Sequence, residues 1–225
     1  MKLAVVTGGT KGIGRAIGER LVADGFVVVA AARSPTPMPP GMRFAALDVT
    51  DAAAVDAFFS GLGRLEVLVN NAGLAGADAS WHDLIATNLT GTYLCCTAAL
   101  PRLPNGTGRI INIASTLGLR GVADQPGYCA AKHGVIGLTR SLALAAAPRG
   151  ISVNAVCPGW VQTEMAAQRF SELGITAADA AAGIPTGRIT SAAEVADAVA
   201  FLARETSGSI TGQALVIDGG RLAAA

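Results

Sequence analysis

The amino-acid sequence predicts an α/β fold: a single domain built on a doubly wound parallel sheet of about seven strands, with helices on both faces. Three observations carry that expectation. Seven short apolar runs, at residues 3–6, 27–31, 43–47, 67–70, 109–113, 152–156 and 214–217, are mostly continuous, as strands buried on both faces are. Helical stretches at 12–24, 51–62, 81–103, 127–147 and 192–203 intervene, the alternation that gives right-handed βαβ crossovers. A glycine-rich turn links the first strand to the first helix.

Taken in order, Met1-Lys2 leads straight into the first run, so no signal peptide is expected. The turn that follows reads Thr7-Gly8-Gly9-Thr10-Lys11-Gly12-Ile13-Gly14. Gly8 permits a tight turn, Gly12 lets the backbone approach a pyrophosphate, and Gly14 allows close helix–strand contact. The helix N-terminus offers unpaired N–H groups to phosphates, the Rossmann-type arrangement. Between the second and third strands, Pro35, Pro37, Pro39 and Pro40 forbid a helix. The helix before Val67 is short, and only fourteen residues separate Gly73 from Asn88. The stretch 164–186, with Phe170, Leu173, Ile175 and Ile184 among alanines, reads as a mobile helical lid.

Tyr128 and Lys132 stand four residues apart, on one face of the helix 127–147, and Ser115 lies thirteen residues upstream of the tyrosine. An ammonium about 4 Å from a phenolate gains roughly 4 kcal/mol at an effective dielectric of 20, about three pKa units before desolvation. The pair is therefore expected to let Tyr128 exchange protons near neutral pH.

Residues 7–14, Asn70-Asn71-Ala72-Gly73, Asn88, Ser115, Tyr128, Lys132 and Pro158-Gly159 together resemble the short-chain dehydrogenase/reductase family, in family order from residue 3 to about 220. The ending Ile210-Thr211-Gly212-Gln213…Asp218-Gly219-Gly220 is similar to the 3-oxoacyl-(acyl-carrier-protein) reductases and related ketoreductases. The resemblance implies one domain over 1–225, its cofactor half about 1–110 and its catalytic and substrate half about 111–225. Tyr128 would protonate a carbonyl oxygen, Lys132 would lower the phenol pKa and hold the cofactor ribose, and Ser115 would polarise the carbonyl. Asn88 would bend its helix and hold a water linking Lys132 to solvent. Gly8, Thr10, Lys11, Gly12, Ile13 and Gly14 would cradle the cofactor, with Asp48 and Val49 at the adenine. Asn71, Ala72 and Gly73 would line the adenine-ribose side, and Pro158, Gly159, Val161 and Thr163 the nicotinamide side. NAD-preferring members end the second strand on an acidic residue; here Ala32 is followed by Arg33, and Lys11 adds a cation, so NADP(H) is expected.

The implied activity is NADPH-dependent reduction of a carbonyl, small-molecule or thioester-bound, to a secondary alcohol. A 3-oxoacyl thioester on an acyl-carrier protein or CoA is the leading case. A catabolic NAD(P)-dependent secondary-alcohol dehydrogenase and a non-catalytic NADPH-binding regulator stay open. Substrate selection is expected in 117–125, Trp160 and 164–186. Arg120, Arg149, Arg169 and Arg188 are candidates for the basic mouth that an acyl carrier would want.

A net charge of +1 and a pI near 7.7 point to neither nucleic acid nor an anionic membrane. No apolar run approaches the roughly 20 residues of a membrane span. Cys95, Cys96, Cys129 and Cys157 form no Cys-x-x-Cys pair, and His82 and His133 lack ligand spacing, so no metal is expected. Reduced, buried thiols suit a cytoplasmic location. Hydrophobic residues reach 51%, and both 81–103 and 127–147 stay apolar around much of their circumference. In the family these helices pair with twofold copies, so a homotetramer or dimer is expected.

Overall fold

The protein is described by a computed structural model covering residues 2–76 and 79–224. Met1 and Ala225, the ends of the expected domain, lie outside the described residues, as do Ala77 and Asp78 between Gly73 and Asn88. The strands are β1 (Lys2–Thr7), β2 (Phe26–Ala32), β3 (Met42–Ala46), β4 (Val67–Asn70), β5 (Arg109–Ile113), β6 (Ser152–Pro158) and β7 (Ala214–Ile217). They form one parallel sheet in the order β3-β2-β1-β4-β5-β6-β7. The α-helices are α1 (Gly12–Ala23), α2 (Ala52–Ser60), α3 (Trp81–Ile85), α4 (Gly91–Ala99), α5 (Pro126–Ala146), α6 (Glu164–Leu173), α7 (Ala177–Ala182) and α8 (Ala192–Ala203).

Successive strand residues face opposite sides, so continuous apolar runs feed two cores. Ala4, Val6, Val28, Ala30, Val67, Val69 and Ile111 meet Ile17 and Leu21 of α1 and Val195, Val199 and Leu202 of α8. The alternate residues Val5, Val29, Ala31, Leu68, Ile110 and Val153 meet Val55 and Phe59 of α2, Cys95, Cys96 and Ala99 of α4, and Ala143 and Ala146 of α5. Each fully buried valine, leucine, isoleucine or phenylalanine among these contributes about 1.5–3 kcal/mol. Helix starts are fixed locally. Asp51 caps α2 by accepting from the Ala54 N–H, and Ser191 with Glu194 closes a capping box on α8.

No helix joins β2 to β3, as the prolines require. One expectation needs correction. The helix expected over 81–103 is α3, a π-helical turn at Ala86–Thr90, α4, and a 3-10 turn at Leu100–Arg102 that contains Pro101. The stretch 164–186, expected to be helical, holds α6 and α7 on either side of Gly174 (φ +65°), and its Ala166, Phe170, Ala180 and Ile184 pack with Ile189 in a small core. Among the described residues no helix is long and apolar enough to cross a membrane, and no group of three or more His, Cys, Asp or Glu is placed to hold a metal. Strand order reverses between β1 and β4, so the loops leaving their C-terminal ends part and open a crevice.

Candidate active site

The loop between β1 and α1 is shaped by its glycines. Gly8 and Gly12 have φ of +63° and +52°, the left-handed region that favours glycine. A Cβ at Gly14 would lie 2.2 Å from the Gly8 carbonyl and 2.5 Å from Asn71 Nδ2, so this glycine packs against the loop itself and against Asn71, the residue just past the end of β4. Asn71 staples the loop: its side-chain amide donates to the carbonyls of Thr7 and Gly8, both at 3.1 Å. Thr7 Oγ1 accepts in return from the N–H groups of Asn71 and Ala72. Thr7 was not among the expected site residues, though its place before Gly8 is the signal that would have found it. Behind these, Asn70 donates to Asn112 and Asn112 to Thr139, each at 2.9 Å, tying β4, β5 and α5 together.

Tyr128 and Lys132 sit on consecutive turns of α5, with Lys132 Nζ 5.6 Å from the centre of the Tyr128 ring. Lys132 is buried, and its ammonium donates to the Ile113 carbonyl at 2.8 Å, at the end of β5. Ser115 follows that strand and caps the 3-10 turn Thr116–Gly118 by accepting from the Leu117 N–H. A Cβ at Gly118 would strike the Lys132 carbonyl at 2.6 Å, so glycine here lets the Ser115 turn close on α5. Asn88, buried within the π turn, accepts from the Leu74 N–H at 2.8 Å and donates to the Leu74 carbonyl at 2.9 Å. Gly73 lies between them: a Cβ there would be 2.9 Å from Asn88 Oδ1 and 3.9 Å from Lys132 Nζ.

The electrostatics correct one expectation. Burial pushes the Tyr128 phenol up to about 12, offset in part by a hydrogen bond with Ser115, and it pushes Lys132 down to about 8. In the protein alone, desolvation outweighs the attraction that was expected to lower the phenol pKa. The site thus holds a firmly protonated phenol beside an amine poised to gain or lose its proton.

The residues expected at the adenine end are only partly together. Arg33 and Asp48 line a cavity of about 510 Å³ with Thr50, Leu74, His82 and Thr87. Asp48 accepts from Thr50 N–H and Oγ1, at 2.9 and 2.7 Å, which holds its carboxyl below the usual range. Val49 is buried against Gly91 and belongs to the core, so its side chain does not reach the cavity. Lys11 pairs with Glu164, 3.4 Å away across the glycine loop, and does not join Arg33 in lining that cavity. Thr10 is buried in the loop.

A second cleft, of about 330 Å³, brings Ile13, Asn71 and Gly73 together with Ser115, Tyr128 and Lys132, and with Pro158, Gly159, Val161 and Thr163. Thr163 caps α6 by accepting from the Ala166 N–H, and Gly159 is pinned by its N–H to the Ile217 carbonyl. Of the four candidate arginines only Arg120 and Arg169 line this cleft. Arg149 donates to the Leu100 and Leu103 carbonyls and Asn105, and Arg188 pairs with Glu194. Arg221 lines the cleft and had no sequence signal beyond following Asp218-Gly219-Gly220.

A dinucleotide fits these residues. The first turn of α1 has no side-chain cap, so its N–H groups are left to an anion, and a Cβ at Gly12 would meet nothing closer than Thr163 at 3.6 Å. Arg33 would hold a 2′-phosphate by charge-assisted hydrogen bonds.

Residues 8–221 match the family model described as enoyl-(acyl carrier protein) reductase. A Streptomyces virginiae protein named for the ketoacyl reductase of the monensin polyketide synthase is 40% identical, covering 97% of this chain and 96% of its own. The 3-oxoacyl-(acyl-carrier-protein) reductase of Haemophilus influenzae is 38% identical, with 97% of each chain covered. A variant of the actinorhodin polyketide ketoreductase, solved with NADPH, superposes with a TM-score of 0.87 and 36% identity over 98% of this chain and 97% of that one.

Proposed function

Because the chain belongs to the short-chain dehydrogenase/reductase family, we propose that it is an NADPH-dependent ketoreductase that turns a carbonyl, foremost a 3-oxoacyl thioester, into a secondary alcohol. The observation that carries this reading is the cleft that joins Ser115, Tyr128 and Lys132 to the end of the glycine loop. NADPH, when bound, would supply the hydride. Ser115 Oγ and the Tyr128 hydroxyl supply two donors for a carbonyl oxygen placed between them. Tyr128 Oη gives its proton to that oxygen as negative charge develops there, and a phenol held at about 12 is not ionised beforehand at neutral pH. Lys132, held by the Ile113 carbonyl, stabilises the phenolate that remains and then replaces its proton. Arg33 favours NADPH, and the named functions of the relatives support a 3-oxoacyl substrate.

Assay of NADPH oxidation with an acetoacetyl thioester, a free β-ketoester, a cyclic ketone and a crotonyl thioester tests the reading. Turnover of the carbonyls but not of the crotonyl double bond is expected. Tyr128→Phe is expected to cut turnover by several orders of magnitude while NADPH binding, followed by fluorescence, holds. NADPH binding without turnover of any carbonyl would instead mark a non-catalytic cofactor-binding protein.

A further inference from the structure

The substrate cleft carries more positive charge than carbonyl reduction uses. Arg120, just beyond the Ser115 turn, and Arg221, on the C-terminal turn, both line it. Neither forms an ion pair among the described residues. Leu117, Val122, Trp160 and Met165 line the same cleft, and its one lining carboxylate among the described residues, Asp124, is paired with Arg169. Arg169 lines the same cleft with its side chain 11% exposed; its terminal nitrogens hold Asp124 and Glu172, while its buried Nε finds no acceptor among the described residues.

The placement of Arg221 is built, not incidental. Asp218 accepts from the N–H groups of Gly220 and Leu222 at 2.9 and 2.8 Å, folding the chain after β7 into a tight turn. Gly219, at φ +65°, packs so closely that a Cβ would lie 2.4 Å from Thr186 Oγ1, and its carbonyl accepts from the Thr186 N–H. The Asp218 carboxylate is thus engaged with backbone. Burial and the like charge of Arg120 both act against the Arg221 cation, with Asp218 only partly offsetting them. Two guanidinium groups sharing a cleft repel each other until an anion sits between them.

We infer that Arg120 and Arg221 form an oxyanion subsite, so that the preferred substrate carries a carboxylate or phosphate whose oxygens they hold while its carbonyl faces Tyr128 and Ser115. This rests on the ketoreductase reading and narrows its substrate class. The oxyanion has two chemical sources: the carboxylate of a free oxo acid, or the phosphate of a pantetheine-type arm.

Two matched pairs separate the possibilities: an oxo acid against its methyl ester, and acetoacetyl-CoA against acetoacetyl-N-acetylcysteamine. In the wild-type protein the charged member of one pair is expected to show a roughly ten- to hundredfold higher kcat/KM, carried by KM, and the pair that shows it names the source. Arg221→Gln and Arg120→Gln should each erase most of that preference, with the neutral member losing far less. Unchanged NADPH binding confirms the variants are folded. Equal rates within both pairs, or a preference that survives both substitutions, overturn the subsite. If NADPH binds but no carbonyl in either pair is reduced, the ketoreductase reading fails and the subsite falls with it.

Discussion

Burying Lys132 gives the fold a pH dependence that can be measured at a single residue. Its pKa in the folded protein, about 8, lies below the ordinary value of 10.5, so between these limits the unfolded chain binds more protons. Stability therefore rises with pH across that window, by at most roughly 3 kcal/mol. Thermal melts at pH 7 and pH 10 should show wild type gaining on Lys132→Met as pH rises; a constant difference would mean the ammonium is not desolvated. Tyr128 runs the other way. Its raised pKa keeps its contribution intact below pH 10 and loses it above. Arg33 sets a second test. Arg33→Ala should raise the KM for NADPH roughly ten- to hundredfold with little change for NADH. Adding Ala32→Asp should shift preference toward NADH, and equal effects on both cofactors would remove Arg33 from the phosphate. Arg33 could be found from the sequence because the missing acidic residue is a local sign. Arg221 could not, because its place in the cleft depends on how the turn after β7 docks against Thr186.

Asn88 shows how one side chain reshapes an element. Its amide takes both backbone groups of Leu74, and the helix around it widens to a π turn between α3 and α4. Asn88→Ala would leave that N–H and carbonyl without their partner in a partly buried setting, a loss of roughly 2–4 kcal/mol. A lowered melting temperature and faster hydrogen exchange at Leu74 are expected, together with reduced turnover, since Gly73 connects this contact to Lys132. Hydrophobic periodicity reads α3 to α4 as one helix because the cause of the break lies fourteen positions back in the chain. Elements governed by their own residues were legible. The buried strands declared themselves by continuous apolar runs, and the prolines before β3 by their missing N–H groups. The glycine loop was legible in outline, yet the partner of Gly14 was not, because Asn71 follows β4, nearly sixty positions further along the chain. The same holds for Lys11, whose partner Glu164 stands on α6.

At the scale of the whole molecule, the apolar excess has a visible address. Trp81, Tyr93 and Leu144 are 59%, 48% and 79% exposed, on the elements from α3 to α5 that the sequence marks as an interface. A Cβ at Gly137 on α5 would meet nothing, so this helix leaves room for a close neighbour. Assembly into a dimer or tetramer is expected, and light scattering at micromolar concentration should return a multiple of 22.5 kDa. Leu144→Asp should weaken the assembly, whereas an active wild-type monomer would mean these faces serve another purpose. The strand order has a consequence in time as well. β1 lies inside the sheet, between β2 and β4, so one of its edges stays open until residues 67–70 have left the ribosome. At about 5–20 residues per second that interval lasts several seconds, with an apolar strand edge free to pair with another nascent chain. A period of edge exposure during synthesis is therefore written into the order of the strands, upstream of any property of the finished site.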